Sequence, residues 1–261
     1  KQNFPGITDL KLFYHHAYSA DYDNDGDLDL FIGSHTITNN FGKSASSYIL
    51  INTDGHFTKL KPNPFEKVGM VTDAVWDDFD EDGLEDLIIV GEWMSPKFFR
   101  NTGDSFEEVN LVESLSGLWQ TIIPFDIDKD GDMDYLLGNW GVNSKFKASE
   151  HFPMKMYYSD FDKNGSTETI VCVEKNESYY PILGLDNLAS QLQFLKKKFT
   201  SYKSFAGKTI SEILDNDMLD EAQVLEVSEL RSGYLENMDG QFKFVPFLNS
   251  LQVAPLTTFL K

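Results

Sequence analysis

The stretch DYDNDGDLDL, residues 21–30, sets five aspartates around one glycine. Carboxylates this close repel one another unless a proton or a cation stands between them. Taken alone, the stretch reads as a solvated acidic turn, a catalytic carboxylate cluster or a cage for a cation. Its recurrence separates these readings. Related stretches are DDFDEDGLEDL from Asp77, DIDKDGDMD from Asp126 and DFDKNGSTE from Asp160. Their aligned first positions are Asp21, Asp78, Asp126 and Asp160. The first three lie roughly fifty residues apart, the length of one repeated supersecondary unit, and the last interval is shorter.

The flanks repeat as well. Short extended runs, HHAYSA, TDAVW and TIIPF, precede the first three loops. Apolar runs that end in Gly33, Gly91 and Gly138 follow them and read as buried strands. A second signature, SYILINTDGHF, KFFRNTGDSF and GYLENMDGQF, has hairpin chemistry. Asn52, Asn101 and Asn237 hold its turn, and Phe57, Phe106 and Phe242 open the returning strand. Strand, acidic loop, strand, connection, strand, turn, strand is the pattern of a β-propeller blade.

The expected fold is mainly β: a partial β-propeller of about four blades with a small helical insertion. The expected segmentation gives residues 1–14 to the tail of a preceding blade. Blades with acidic loops follow at 15–69, 70–117 and 118–152. A blade over 153–250 has the degenerate fourth loop and the helices, 186–222. Residues 251–261 form the first strand of a following blade. The chain thus reads as cut from a longer propeller, completed by the remaining blades of its parent. Within DNLASQLQFLKKKF, Leu188, Leu192, Leu195 and Phe199 share one helical face, and TISE at Thr209–Glu212 reads as a capping box. The lysines 196–198 and Lys203 and Lys208 are a locally basic stretch, read as a solvated helix end.

In D-x-D-x-D-G-x-x-D, positions 1, 3, 5 and 9 supply carboxylates, position 7 a backbone carbonyl, and the glycine a sharp turn. Hard oxygen donors in this number match Ca²⁺ better than Zn²⁺, and Mg²⁺ keeps more waters. The first site would use Asp21, Asp23, Asp25, the Asp27 carbonyl and Asp29. The second would use Asp78, Asp80, Asp82, the Leu84 carbonyl and Asp86. The third would use Asp126, Asp128, Asp130, the Asp132 carbonyl and Asp134. Leu84 shows that position 7 needs no side-chain ligand, so the Asp27 side chain reads as dispensable. The fourth loop, Asp160, Asp162, Asn164, Ser166 and Glu168, has fewer charges and is expected to bind more weakly. An EF-hand needs a bidentate Glu at position 12 and flanking helices. Position 12 here is Ile32, Ile89, Leu137 and Val171, all in strand-like runs. Four similar clusters on successive repeats also do not resemble a single catalytic dyad.

These loops and the NxxGxF turns resemble FG-GAP/VCBS repeats, the calcium-binding propeller blades of integrin α-subunit heads and of many bacterial surface proteins. The helical insertion is similar to those of large VCBS-repeat proteins related to cartilage acidic protein. The resemblance implies an extracellular or cell-surface location and a role in adhesion or recognition of a protein or glycan ligand. Some relatives bear Ca²⁺-binding propellers in polysaccharide lyases, so a glycan-active enzyme is the alternative.

Composition agrees with the binding reading. The formal net charge of -20 opposes nucleic-acid binding and suits cations. No apolar run reaches membrane-spanning length. KQNFPGITDL is not signal-like and suits a mature or excised chain. Cys172, the single cysteine, reads as a buried, inert thiol in TIVCV. His15 and His16 would point to opposite faces of a strand, and no nucleophile elbow, zinc-protease or phosphate-loop motif occurs. At the ends of the second strands opposite the acidic loops stand His35, Trp93 and Trp140, followed by variable connections. With the 139–152 loop they are the expected ligand face; the competing reading packs both tryptophans between blades.

Overall fold

The computed structural model describes residues 13–260. The first sheet contains β1 (Phe13–Ala20), β2 (Asp29–Ile37), β3 (Asn40–Ser44), β4 (Tyr48–Thr53) and β5 (His56–Lys59). They pair antiparallel in the order β1-β2-β4-β5, and β3 folds back on the far end of β2. The second contains β6 (Met70–Asp77), β7 (Asp86–Met94), β8 (Lys97–Asn101) and β9 (Phe106–Val109), with β10 (Gly117–Leu118) on the far end of β7. Both are blades of the expected kind, each with its acidic loop between the first two strands. Among the described residues no sheet is closed on itself.

β7 shows why the blades stack. Its segment DLIIVGEWM is almost wholly buried, and alternate residues feed two cores. Leu87 and Ile89 join Phe31, Ile49, Phe65 and Phe99 against the first blade. Ile88 and Val90 join Trp119, Tyr135, Leu235 and Phe242 against the third. Each such fully buried side chain stabilises by about 1.5–3 kcal/mol before entropy is counted. The inner strands also meet through one carboxylate. Asp73 accepts from the Tyr18 hydroxyl at 2.7 Å and from the Ile122 amide at 2.9 Å, so it joins all three blades. Burial, then the Asp73 charge, raises the Tyr18 phenol well above its ordinary value. Of the expected strand-ending glycines, Gly138 does end its strand, Tyr135–Gly138, but the other two are close-approach points within theirs. β2 and β7 run through Gly33 and Gly91, and a Cβ on Gly91 would lie 2.1 Å from the Met70 carbonyl oxygen.

The third blade departs from the expected segmentation. β11 (Thr121–Pro124) and β12 (Tyr135–Gly138) form its inner half. The chain then leaves for β13 (Met154–Ser159), β14 (Glu168–Lys175) and β15 (Ser178–Pro181), five short helices, and β16 (Gln223–Val227). These strands make a sheet of their own, in the order β15-β14-β13-β16. Only then do β17 (Gly233–Met238) and β18 (Gln241–Pro246) return to pair with β12. The hairpin GYLENMDGQF therefore completes the blade begun by β11, and residues 153–250 are not one blade. The physical reason is the open edge of β12 beside buried Tyr135. Phe242 stacks on Phe98 at 4.8 Å and lies 5.3 Å from Tyr135, so this hairpin finishes a core already laid down.

The fourth sheet covers the far ends of the first two blades. Met154, Met156 and Val227 pack with Met70, Trp93 and Leu118, and the Thr167 amide donates to the Asn39 carbonyl at 3.1 Å. Its other layer is helical: α1 (Leu185–Gln191), α2 (Leu195–Lys198), α3 (Tyr202–Phe205), α4 (Ile210–Ile213) and α5 (Asn216–Glu221). Leu188, Leu192, Leu195 and Phe199 are all buried there with Cys172, but the expected single helix breaks at Leu192–Phe194. Helices this short depend on the packed face rather than on propensity. The expected capping box holds, with the Thr209 amide donating to Glu212 Oε2 at 2.9 Å. Burial pushes the Cys172 thiol up to about 12, which suits an inert side chain.

The C-terminal residues expected as another blade's first strand are in no strand through residue 260. They lie along the third blade, where the Leu256 amide donates to the Asn139 carbonyl and Gln252 is buried against Ser232. The expected N-terminal tail lies, up to residue 12, outside the described residues. Among the described residues no helix is long and apolar enough to cross a membrane.

Candidate metal centres

All four acidic loops share one backbone path. Position 4 is left-handed in each, at Asn24, Glu81, Lys129 and Lys163, with φ of 57°, 59°, 66° and 59°. Position 6 is Gly26, Gly83, Gly131 and Gly165, with φ between 90° and 102°. Any side chain at position 6 would be strained, which is why the glycine recurs. The amides of this turn point inward at the first carboxylate. Asp21 accepts from the amides of Asp25 and Gly26 at 3.0 Å. Asp78 accepts from Asp82 and Gly83, and Asp160 from Asn164 and Gly165, at 2.8–3.0 Å. Asp126 takes the Lys129 amide at 2.6 Å. Position 5 turns the chain again: Asp25, Asp82, Asp130 and Asn164 accept from the amides of Asp27, Leu84, Asp132 and Ser166.

Carboxylate oxygens converge within 4.8 Å in each loop: Asp21, Asp23 and Asp29; Asp78, Asp80 and Asp82; Asp126, Asp128 and Asp134; Asp160, Asp162 and Glu168. The expected ligands are thus brought together in part. Asp25, Asp130 and Asp86 stand outside these groups of three. The donor sets are oxygen only, so they fit a hard cation rather than zinc. Position 12 falls within β2, β7, β12 and β14, which excludes an EF-hand.

Position 9 has a role that sequence reasoning missed. Asp29, Asp86 and Asp134 are almost completely buried. Asp29 Oδ1 accepts from the Asn52 amide at 2.7 Å, and Oδ2 from the Tyr22 amide at 3.3 Å. Asp86 holds Asn101 and Phe79 in the same way, and Asp134 holds Asn237 and Ile127. The hairpin asparagines answer: Asn52 Nδ2 donates to the Leu28 carbonyl, Asn101 Nδ2 to Glu85 and Asn237 Nδ2 to Met133. One carboxylate thereby fastens the acidic loop to the hairpin turn of its own blade. The signal was the joint recurrence of D-G-x-x-D and N-x-x-G/D-x-F. In the third blade this pairing identifies Asn237 as the partner of Asp134 across the whole insertion. The fourth loop lacks such an asparagine; Glu168 accepts from the Phe161 amide and, at 3.5 Å, from Asn164 Nδ2.

The Asp27 side chain makes a contact that Leu84 cannot reproduce. Its Oδ2 accepts from the Asp54 amide at 2.7 Å, where Asp54 has a left-handed φ of 51°. Leu84 has no such acceptor, and in the turn there Asn101 Oδ1 accepts from the Gly103 amide. The expected ligand face is also covered. Trp93 is buried against the fourth sheet, Trp140 is half-buried beside Phe146, and His35 pairs with Glu92 at 3.3 Å. Trp93 is thus a packing residue, while Trp140 stays partly exposed.

Burial, reinforced by Asp23 and Asp25, pushes Asp29 up to about 6 against the pull of the Asn52 amide. Burial, with Asp80 and Asp82, likewise pushes Asp86 up to about 7 against the Asn101 amide. Both values lie above the ordinary carboxylate near 3.9, so between pH ~4 and ~7 the metal-free native chain holds more protons than the unfolded one. This contribution is full below the unfolded pKa and is lost as pH rises through 6 to 7. The metal-free protein should therefore lose urea resistance from pH 5 to pH 8. Asp86→Asn should flatten the part of that profile between pH 6 and pH 8, as urea midpoints across the range would show.

Repeated four-stranded blades, each with an acidic loop bound to its hairpin turn, define a propeller-like repeat protein. Residues 21–89 and 78–137 match the FG-GAP-like repeat family, and the chain contains FG-GAP-like repeats over 21–137. The match takes in the first three acidic loops and stops before the inserted sheet. No curated protein matches the chain.

Proposed function

We propose that this chain is a calcium-stabilised, non-catalytic recognition module of a secreted or cell-surface protein, with a protein or glycan as its ligand. The observation that supports it best is the fourfold recurrence of one turn geometry around oxygen-only donor groups. FG-GAP-type blades of this kind commonly take Ca²⁺, and extracellular calcium modules bind it at ~10⁻⁴ to 10⁻³ M. The first three loops are the main sites, and the fourth is weaker because Asn164 and Ser166 replace carboxylates.

Recognition is placed away from Trp93, which packs against the fourth sheet. A cleft of about 920 Å³ lies between the 111–115 connector, the 142–150 loop and residues 228–231. Exposed Val142 and Met238 line it together with the Glu229–Arg231 ion pair, and its apolar and polar side chains are comparable in number. A glycan and extracellular-protein array probed in millimolar calcium should yield a ligand whose retention is lost in Val142→Arg and Met238→Arg. Both variants should melt where the parent does. Retention by both would place recognition elsewhere, and turnover of an arrayed polysaccharide would favour the enzyme alternative.

A further inference from the structure

The second loop differs from the first and third in one respect that the repeat does not require. The Arg100 guanidinium, on β8, lies against Asp80 Oδ2 at position 3 of the loop. Arg100 immediately precedes the turn asparagine Asn101; the residues in that place in the other two blades are Ile51 and Glu236. Neither can supply a positive charge. The pair sits in a crevice of about 480 Å³ that Asp132 of the third loop also lines, with Phe79 and Asn237 as walls. Arg100 Nε and Asp132 Oδ1 are both buried and neither makes a hydrogen bond, so the Arg100–Asp80 contact is an ion pair rather than a directed hydrogen bond. A half-buried guanidinium facing two acidic loops is less easily displaced than a free surface charge.

We propose that Arg100 is a built-in counter-ion that holds the second loop closed without metal and weakens its cation affinity, so that this loop fills last of the first three. The inference rests on the calcium reading above. A divalent ion entering between Asp78, Asp80 and Asp82 must displace the guanidinium from Asp80 or share the carboxylate with it. Either way it meets a positive charge already paired with a ligand carboxylate; the first loop has no basic residue, and Lys129 of the third is exposed at position 4 and makes no such pair among the described residues. The same charge offsets the repulsion among Asp78, Asp80 and Asp82 before any ion arrives. The first and third loops depend on the ion for that offset. The chain would then keep its central blade assembled at low calcium while its neighbours respond to calcium.

Hydrogen exchange read peptide by peptide during a calcium titration of the full chain tests this. In the parent, the 77–87 peptide should be better protected than 20–30 and 125–135 in chelator, and should reach half-protection at the highest calcium of the three. Arg100→Gln and Arg100→Met should each lower the 77–87 midpoint about fivefold, the scale set by a partly exposed ion pair. Their 20–30 midpoint should stay in place. Arg100→Lys, which keeps the charge, should resemble the parent. Met preserves the aliphatic stem, so it carries the test if Gln disturbs packing. A 77–87 midpoint that stays put or rises in both neutral variants overturns the inference while leaving the calcium reading standing. No calcium response in any loop of the parent overturns both.

Discussion

Asp134→Ala should unfasten residues 233–246 from the third blade. Asp134 is buried, and its two oxygens hold the amides of Ile127 and Asn237, each at 2.9 Å. Alanine leaves both amides without their acceptor, at about 1–3 kcal/mol for each buried donor. A total loss of about 3–5 kcal/mol follows, large against the usual 5–15 kcal/mol of a folded domain. The effect should exceed that of the same change at Asp29, because the hairpin that Asp134 holds is joined to its blade only through the long insertion. Loop-closure entropy acts against that return. Asp134→Asn keeps one acceptor and should lose about half as much. Urea unfolding gives the magnitude, and hydrogen exchange of the 233–246 peptide gives the location. A loss under 1 kcal/mol, or unchanged exchange there, would mean that the hairpin is held by Phe242 and Leu235 alone.

Calcium should raise the melting temperature by a comparable amount. With a dissociation constant of ~10⁻⁴ to 10⁻³ M, 10 mM calcium stabilises by about 1.4–2.7 kcal/mol per site. The first three loops together give roughly 4–8 kcal/mol, or on the order of 10–20 °C for a chain of this size. Chelator should reverse the shift, and magnesium should produce less of it. The dependence should steepen from pH 5 to pH 8. At the acid end protons on Asp29 and Asp86 already relieve the crowding that a cation would relieve, and their pKa values of about 6 and 7 set where that substitute is lost.

How legible was this in the sequence? The blades, their loops and the exclusion of an EF-hand followed from local patterns: the spacing of DxDxDG, the apolar position 12 and the hairpin turns. Local patterns succeed because strand pairing across a tight turn is itself local. The misassigned hairpin shows the limit. GYLENMDGQF stands next to the fourth sheet in sequence but completes the third blade in space, and nothing within its own residues says so. What identifies its partner is a long-range hydrogen bond from a buried carboxylate, visible in sequence only as two motifs that recur together. Trp93 and Trp140 misled for a related reason. Their position at strand ends is legible, but the inserted sheet that buries Trp93 and partly covers Trp140 is placed by contacts between Met154, Met156 and Met70, residues far apart in the chain. The role of Arg100 was likewise hidden, because its partner Asp80 lies in a different element and the repeat itself does not call for a cation there.

The central claim is that the acidic loops hold calcium and thereby fasten blade to hairpin. Calorimetric titration of the chelator-stripped chain with calcium tests it most directly. The account predicts saturable binding of about three ions in the 10⁻⁴ to 10⁻³ M range, with a weaker fourth event. No saturable heat up to about 10 mM calcium, tenfold above that range, would contradict it.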